Sequence, residues 1–242
     1  MTILLLAGTG EAQALARALN EQGHSVVASL AGATRAPRAF GVPMRIGGFG
    51  GEEGFARYLK EAGIVAVLDA THPFAAHISN RSAKVCAAQG IPYCQVLRPE
   101  WQAGPGDKWQ FIDREEEAAA HIPEGARVFL ATGRQTLEKF ANLTGRYLIC
   151  RQIDPPEAAF PFDNGEYLIG RPPFSETHER DLFKRLAIDW LVVKNAGGSA
   201  PMSKLAAARD LGLPVLVINR PAQPDAPRVE TVEGALDWVA GL

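Results

Sequence analysis

Four short turns carry the residue types that could hold a phosphate-bearing ligand: Gly8-Thr9-Gly10-Glu11, Asp69-Ala70-Thr71-His72-Pro73, Ala131-Thr132-Gly133-Arg134 and Lys194-Asn195-Ala196-Gly197-Gly198. Each follows an apolar run and leads towards a helical pattern. Glycine lets a backbone approach a ligand closely, and a helix N-terminus offers unpaired N–H groups at the positive end of its dipole. In a parallel sheet such turns share one edge, where ligands bind. The first turn is an incomplete dinucleotide fingerprint, because Gln13 stands where G-x-G-x-x-G has its third glycine. The acid that usually meets the ribose of NAD after the second strand is missing. That strand ends Ser29-Leu30-Ala31-Gly32-Ala33-Thr34-Arg35, and Arg38 follows. An arginine there suits a 2′-phosphate, so the residues favour NADPH, with NADH as the alternative.

His72 lies at a strand end and can contact a ligand or cap the turn. His72 and His77 are five residues apart, on different faces of a helix, so no metal site is expected. No Tyr-x-x-x-Lys pair, G-x-S-x-G elbow or P-loop occurs, which disfavours short-chain dehydrogenase, acyl-transfer and ATP-hydrolysis chemistry. Cys86, Cys94 and Cys150 have no ligand or disulfide spacing and read as buried small side chains. A net charge of −2 without a basic run argues against nucleic acid. The apolar start is too short for a signal peptide, and no stretch is long enough to span a membrane, so the chain reads as cytoplasmic.

The elements that must position these turns alternate. Apolar strands are expected at 3–7, 24–30, 44–46, 64–69 and 93–97. Helices are expected at 12–22, at 52–62, and from Pro73 to about Gln89. Continuous runs such as Ile64-Val65-Ala66-Val67-Leu68 fit strands covered on both faces. A Pro/Gly-rich linker at 98–107 separates a second round of the same rhythm. There, Asp113 with Glu116, and Thr132 with Gln135, have capping-box spacing for helices. Strands follow at 127–131, 146–150, 190–194 and 214–218. Helices follow from Ser175, from Pro201 and over 233–240. Residues 151–174, rich in proline and aromatics, read as a connector or as a loop over a ligand. The expected fold is α/β: two Rossmann-like parallel-sheet halves, 1–100 and 101–242, with a cleft between them.

The four turns together, with Leu6-Ala7 before the first and Phe74-Ala75 after the second, resemble the precorrin-6A reductase family of cobalamin biosynthesis. The resemblance covers nearly the whole chain, and Asp69-Ala70-Thr71-His72-Pro73-Phe74-Ala75 is its most specific part. It implies hydride transfer from a reduced nicotinamide to one double bond of a corrin-precursor tetrapyrrole, giving precorrin-6B. An anaerobic branch of the family acts on the cobalt-containing precursor, often with NADH. The cofactor carries such chemistry, so the protein need only position and polarise. On this basis Gly8, Thr9, Gly10, Glu11, Gly32, Arg35, Thr71, Thr132, Gly133, Arg134, Lys194, Asn195 and Gly198 are expected at the cofactor. His72 is the candidate catalytic proton donor, with water as the alternative. A ring bearing many carboxylates should want cations such as Arg134, Arg151, Arg171, Lys194 and Lys204. The expected state is a monomer or weak dimer. A non-catalytic nucleotide- or tetrapyrrole-binding protein, and a methyltransferase on a similar fold, are the competing classes.

Overall fold

A computed structural model describes residues 2–32 and 39–242, and the chain forms two compact units. The first contains β1 (Thr2–Leu6), α1 (Gly10–Glu21), β2 (Ser25–Leu30), β3 (Met44–Ile46), α2 (Gly51–Glu61), β4 (Ile64–Asp69), α3 (Ala76–Gln89) and β5 (Tyr93–Val96). The second contains β6 (Lys108–Ile112), β7 (Arg127–Leu130), β8 (Tyr147–Gln152), β9 (Gly165–Ile169), α4 (Glu176–Arg185), β10 (Trp190–Lys194), α5 (Ser203–Asp210) and β11 (Pro214–Ile218). The chain then returns to the first unit with β12 (Arg228–Val229) and α6 (Val232–Ala240).

Each unit is built on a six-stranded, wholly parallel sheet. The orders are β12-β5-β4-β1-β2-β3 and β6-β11-β10-β7-β8-β9. In both, the chain winds outward from a first strand, then crosses to its other side. The switch points lie between β1 and β4, and between β7 and β10. The outermost place beyond β5 is filled by β12, from the far end of the chain, while β6, next in sequence after β5, lies outermost in the second sheet.

The second half therefore differs from the expected 101–242. Unit two is Glu100–Arg220, and Pro221–Leu242 belong to unit one. The cause is packing: Ala235 and Val239 of α6 join the core of α1, β1, β2 and β4, and β12 pairs with β5. Helix α1 shows how such a layer forms. Thr9 caps it by accepting from the Ala12 N–H at 3.3 Å, and Ala12, Leu15, Ala16 and Leu19 make one buried stripe. α2 and α3 cover the opposite face through Phe55, Leu59, Val85 and Cys86.

In unit two, α4 and α5 cover one face. Where the capping patterns suggested helices on the other face, there are two 3-10 helices, Glu115–Ala120 and Arg134–Phe140. The first box closes one residue later than expected, with Glu117 Oε2 accepting from the Asp113 N–H at 3.1 Å. The second does not close, because Thr132 Oγ1 is buried without a partner. Pro73 precedes α3 rather than opening it, and the Pro201 region begins as a 3-10 turn before α5. Ser175 caps α4 through the His178 N–H at 3.1 Å. No helix among the described residues is long and apolar enough to cross a membrane.

Candidate functional site

Two of the four turns follow β1 and β4, the strands that flank the first switch point, and they are tied to each other. Thr9 Oγ1 donates to the Ala70 carbonyl at 2.8 Å, and the Ala70 N–H donates to the Leu6 carbonyl at 2.9 Å. A side chain on Gly8 would stand 3.7 Å from the His72 backbone nitrogen, so the second turn lies directly beside the first. A Cβ on Gly10 would meet nothing within 4 Å. With Ala12's N–H capped by Thr9 and that of Glu11 bonded to its own carboxylate, that of Gly10 has no intrahelical partner. The strand end thus presents open space, bare glycine backbone and a helix dipole together, the fit that a cofactor pyrophosphate requires.

Glu11 is engaged elsewhere. Both its carboxylate oxygens accept from Arg98 Nη1, at 2.8 and 2.7 Å. Burial works to raise the Glu11 pKa, but the bonds and charge of Arg98 outweigh it and hold the carboxyl below its ordinary value. Arg98 lies just past β5, and the 87 residues that separate it from Glu11 hide this pairing from the sequence.

The second turn is organised by Asp69, which is 1% exposed. Its Oδ1 accepts from the Thr71 N–H at 3.1 Å and the Thr71 hydroxyl at 2.7 Å, and its Oδ2 from the Tyr93 hydroxyl at 2.7 Å. Thr71, expected at the cofactor, has its hydroxyl turned to this internal bond. Burial first, then the charge of Asp69, push the Tyr93 hydroxyl above its usual range and the Cys86 thiol up to about 12. Burial also raises Cys94 and Cys150 to about 11, so all three thiols are inert core side chains.

His72 Nδ1 accepts from the Phe74 N–H at 3.2 Å. That bond fixes the ring within the turn. The returning tail fastens this turn. Gln223 Nε2 donates to the Pro73 carbonyl at 2.9 Å, and Gln223 Oε1 accepts from Gln95 Nε2 at 2.9 Å.

After β2, Gly32 sits at φ +84°, where a Cβ would touch Ile46 Cγ2 at 3.4 Å. Arg35 and Arg38 lie outside the described residues.

The other two turns flank the second switch point, after β7 and β10. Gly133 takes φ +76°, and Arg134 is exposed at the start of the 3-10 helix. Asn195 is 1% exposed and holds Trp101: its Oδ1 accepts from the Trp101 N–H at 2.9 Å, and its Nδ2 donates to the Trp101 carbonyl at 3.2 Å. The Gly198 carbonyl accepts from Trp101 Nε1 at 2.7 Å. The Asn195 side chain thus anchors the first residues of unit two, a role that its position in the turn does not reveal. Lys194 is half-buried at the end of β10. Burial lowers its pKa, while nearby Glu115 works to raise it.

Arg151, a candidate for substrate carboxylates, is locked inside the unit. Its Nη1 and Nη2 donate to Glu179 Oε2 and Oε1 at 2.7 and 2.8 Å, and its guanidinium lies 4.4 Å from the Phe174 ring centroid. Arg171 pairs with Asp154 at 3.6 Å, and Lys204 donates to the Pro201 carbonyl at 2.6 Å. Among the described residues no cluster of His, Cys, Asp or Glu could hold a metal ion.

Residues 2–240 match the family model described as "Precorrin-6x reductase CbiJ/CobK". The chain is 43% identical over 239 residues to the precorrin-6A reductase of Rhodobacter capsulatus, covering 98% of this chain and 95% of the relative. It is 44% identical to that of Rhodococcus erythropolis, covering 99% and 98%. It is 32% identical to the cobalt-precorrin-6A reductase of Priestia megaterium, covering 90% of each. A solved structure of CobK precorrin-6A reductase superposes with a TM-score of 0.96 at 42% identity, over 100% of this chain and 96% of that one. With a family match along its whole length and the same fold in a solved relative, this chain belongs to the precorrin-6x reductase CbiJ/CobK family.

Proposed function

We propose that this protein is an NADPH-dependent precorrin-6A reductase, acting on the metal-free tetrapyrrole in the cytoplasm. The observation that carries the cofactor assignment is the glycine turn at the first switch point, with open space at Gly10, its uncapped N–H and the His72 turn alongside. Bound there, the nicotinamide would supply a hydride to one carbon–carbon double bond. The chain's own residues do the rest. Gly8 and Gly10 let the backbone meet the pyrophosphate, and the Gly10 N–H donates to it. Arg98 neutralises Glu11, so that a carboxylate at the helix start does not repel the phosphates. His72, in the turn alongside, is the proposed donor of the proton that completes the reduction.

Two features support the finer choices. The relatives at 40–44% identity are precorrin-6A reductases, whereas the cobalt-precorrin enzymes stand at 27–32%. Arg35 and Arg38 follow β2 in the sequence, where no acid is present to take a ribose hydroxyl. Loss of a charge-assisted phosphate contact is worth about 1.5–3 kcal/mol. Arg35→Ala should therefore weaken NADPH binding by roughly 10–100-fold and leave NADH within about twofold. Calorimetric titration with both nucleotides reads this directly. Equal losses would remove the 2′-phosphate argument.

A further inference from the structure

We propose that the edge of the second sheet, at the ends of β7 and β8, is a subsite that takes one carboxylate of the tetrapyrrole substrate on Thr132, Thr136 and Gln152. This rests on the reductase reading above and extends it to the substrate.

Among the described residues, the buried side-chain nitrogen and oxygen atoms that lack a hydrogen-bond partner include Thr132 Oγ1, Thr136 Oγ1 and both Nε2 and Oε1 of Gln152. Thr132 is 8% exposed and Gln152 6%. Leu130 of β7 pairs with Cys150 of β8, Gln152 ends β8, and Thr132 follows two residues after Leu130, so both lie at the ends of adjacent strands. Thr136 comes from the 3-10 helix Arg134–Phe140, which packs on β8.

A buried polar group without a partner costs about 1–3 kcal/mol. Thr132 and Gln152, at the ends of adjacent strands where ligands of parallel sheets bind, with Thr136 on the 3-10 helix that packs on β8, are an arrangement that a ligand would complete. Two hydroxyls and an amide NH2 offer donors, which suits an anion. Lys194, at the end of β10, lies near Lys139 and Glu115, and Arg134 lies near Tyr167, which pairs with Cys150. Gln152 pairs in turn with Ile169 of β9, which is 46% exposed. An exposed apolar side chain beside buried donors matches a ligand with an apolar ring and a carboxylate arm. Gln152 Oε1 then accepts from one of the two hydroxyls or from a bridging water.

Gln152→Leu, apolar and close in shape, tests this in the full chain, with precorrin-6A and NADPH as probes. The expected result is a KM for precorrin-6A raised by roughly 10–100-fold. kcat should change little, the NADPH dissociation constant should stay within about twofold, and the unfolding midpoint of the free protein should be unchanged or higher. A purely structural glutamine would move the midpoint and leave KM alone, and a KM within about twofold of wild type overturns the proposal. A parallel rise in the NADPH constant also overturns it, because the edge would then serve the cofactor. Should Gln152→Leu not fold, Thr136→Val is measured in its place: a raised KM with an unmoved NADPH constant supports the subsite, and an unmoved KM overturns it. Absence of turnover by the wild type would defeat the reductase reading itself, and the subsite with it.

Discussion

Gly10→Val should abolish measurable NADPH binding, a loss of about a hundredfold or more, while the protein keeps its fold. The structure separates these two effects. Gly10 is the first residue of α1, and a Cβ there meets no protein atom within 4 Å. The Cβ of valine therefore has room, and at the first helical position its β-branch costs only a few tenths of a kcal/mol. The same empty space is what a pyrophosphate must occupy to reach the N–H of Gly10, so the isopropyl group excludes it. Titration with NADPH, alongside thermal unfolding of the free variant, reads both halves. Unaltered affinity in a folded variant would mean that the cofactor does not bind at the β1 turn.

The second large effect concerns stability. Arg151 and Glu179 form a two-point ion pair whose side chains are 9% and 0% exposed. Removing one partner strands the other charge in the interior, at a cost of about 3–5 kcal/mol. Glu179→Ala should thus lower the denaturation midpoint by roughly 10 °C. The arginine also lies against Phe129 and Phe174, at 5.0 and 4.4 Å from their ring centroids, so the start of α4 should loosen as well. The double variant Arg151→Met with Glu179→Leu should recover most of the loss, because apolar pairs of similar volume commonly replace buried ion pairs without penalty. A Glu179→Ala protein within about 1 kcal/mol of wild type would show that the pair is not desolvated. The same result bears on function, since an arginine locked in this way is not offered to a substrate carboxylate.

These two sites mark what the sequence reveals and what it hides. Strands such as Ile64–Asp69 stand out because burial on both faces demands an unbroken apolar run, and the glycine turns stand out because they punctuate it. β6 does not. As an edge strand with Lys108, Gln110 and Phe111 exposed, beside a proline- and glycine-rich stretch, it has no continuous apolar run. β12 is only two residues long. Nothing local in Pro221–Leu242 signals that α6 packs on α1 rather than on the helices just before it in sequence.

At the site, residue types are readable but partners are not. Thr132 and Gln135 have the spacing of a capping box, yet tertiary packing sets a 3-10 turn there and leaves the hydroxyl without a partner. Arg151 looks like any strand-end cation until Glu179, 28 residues on, is seen to hold it. Asn195 stands in a strand-end turn, and its spacing does not show that its amide atoms hold Trp101, 94 residues earlier. Such bonds are made by the fold, and sequence spacing carries no trace of them.

Whether this protein is a nicotinamide-dependent reductase is tested most directly by single-turnover reduction of precorrin-6A, under anaerobic conditions, with NADPH deuterated at nicotinamide C4. The expected result is that the near-ultraviolet absorbance of the reduced nicotinamide falls in step with product formation, and that one deuterium appears on a carbon of the tetrapyrrole. Binding of adenosylmethionine with no response to either reduced nicotinamide, and no deuterium in the tetrapyrrole, would contradict it.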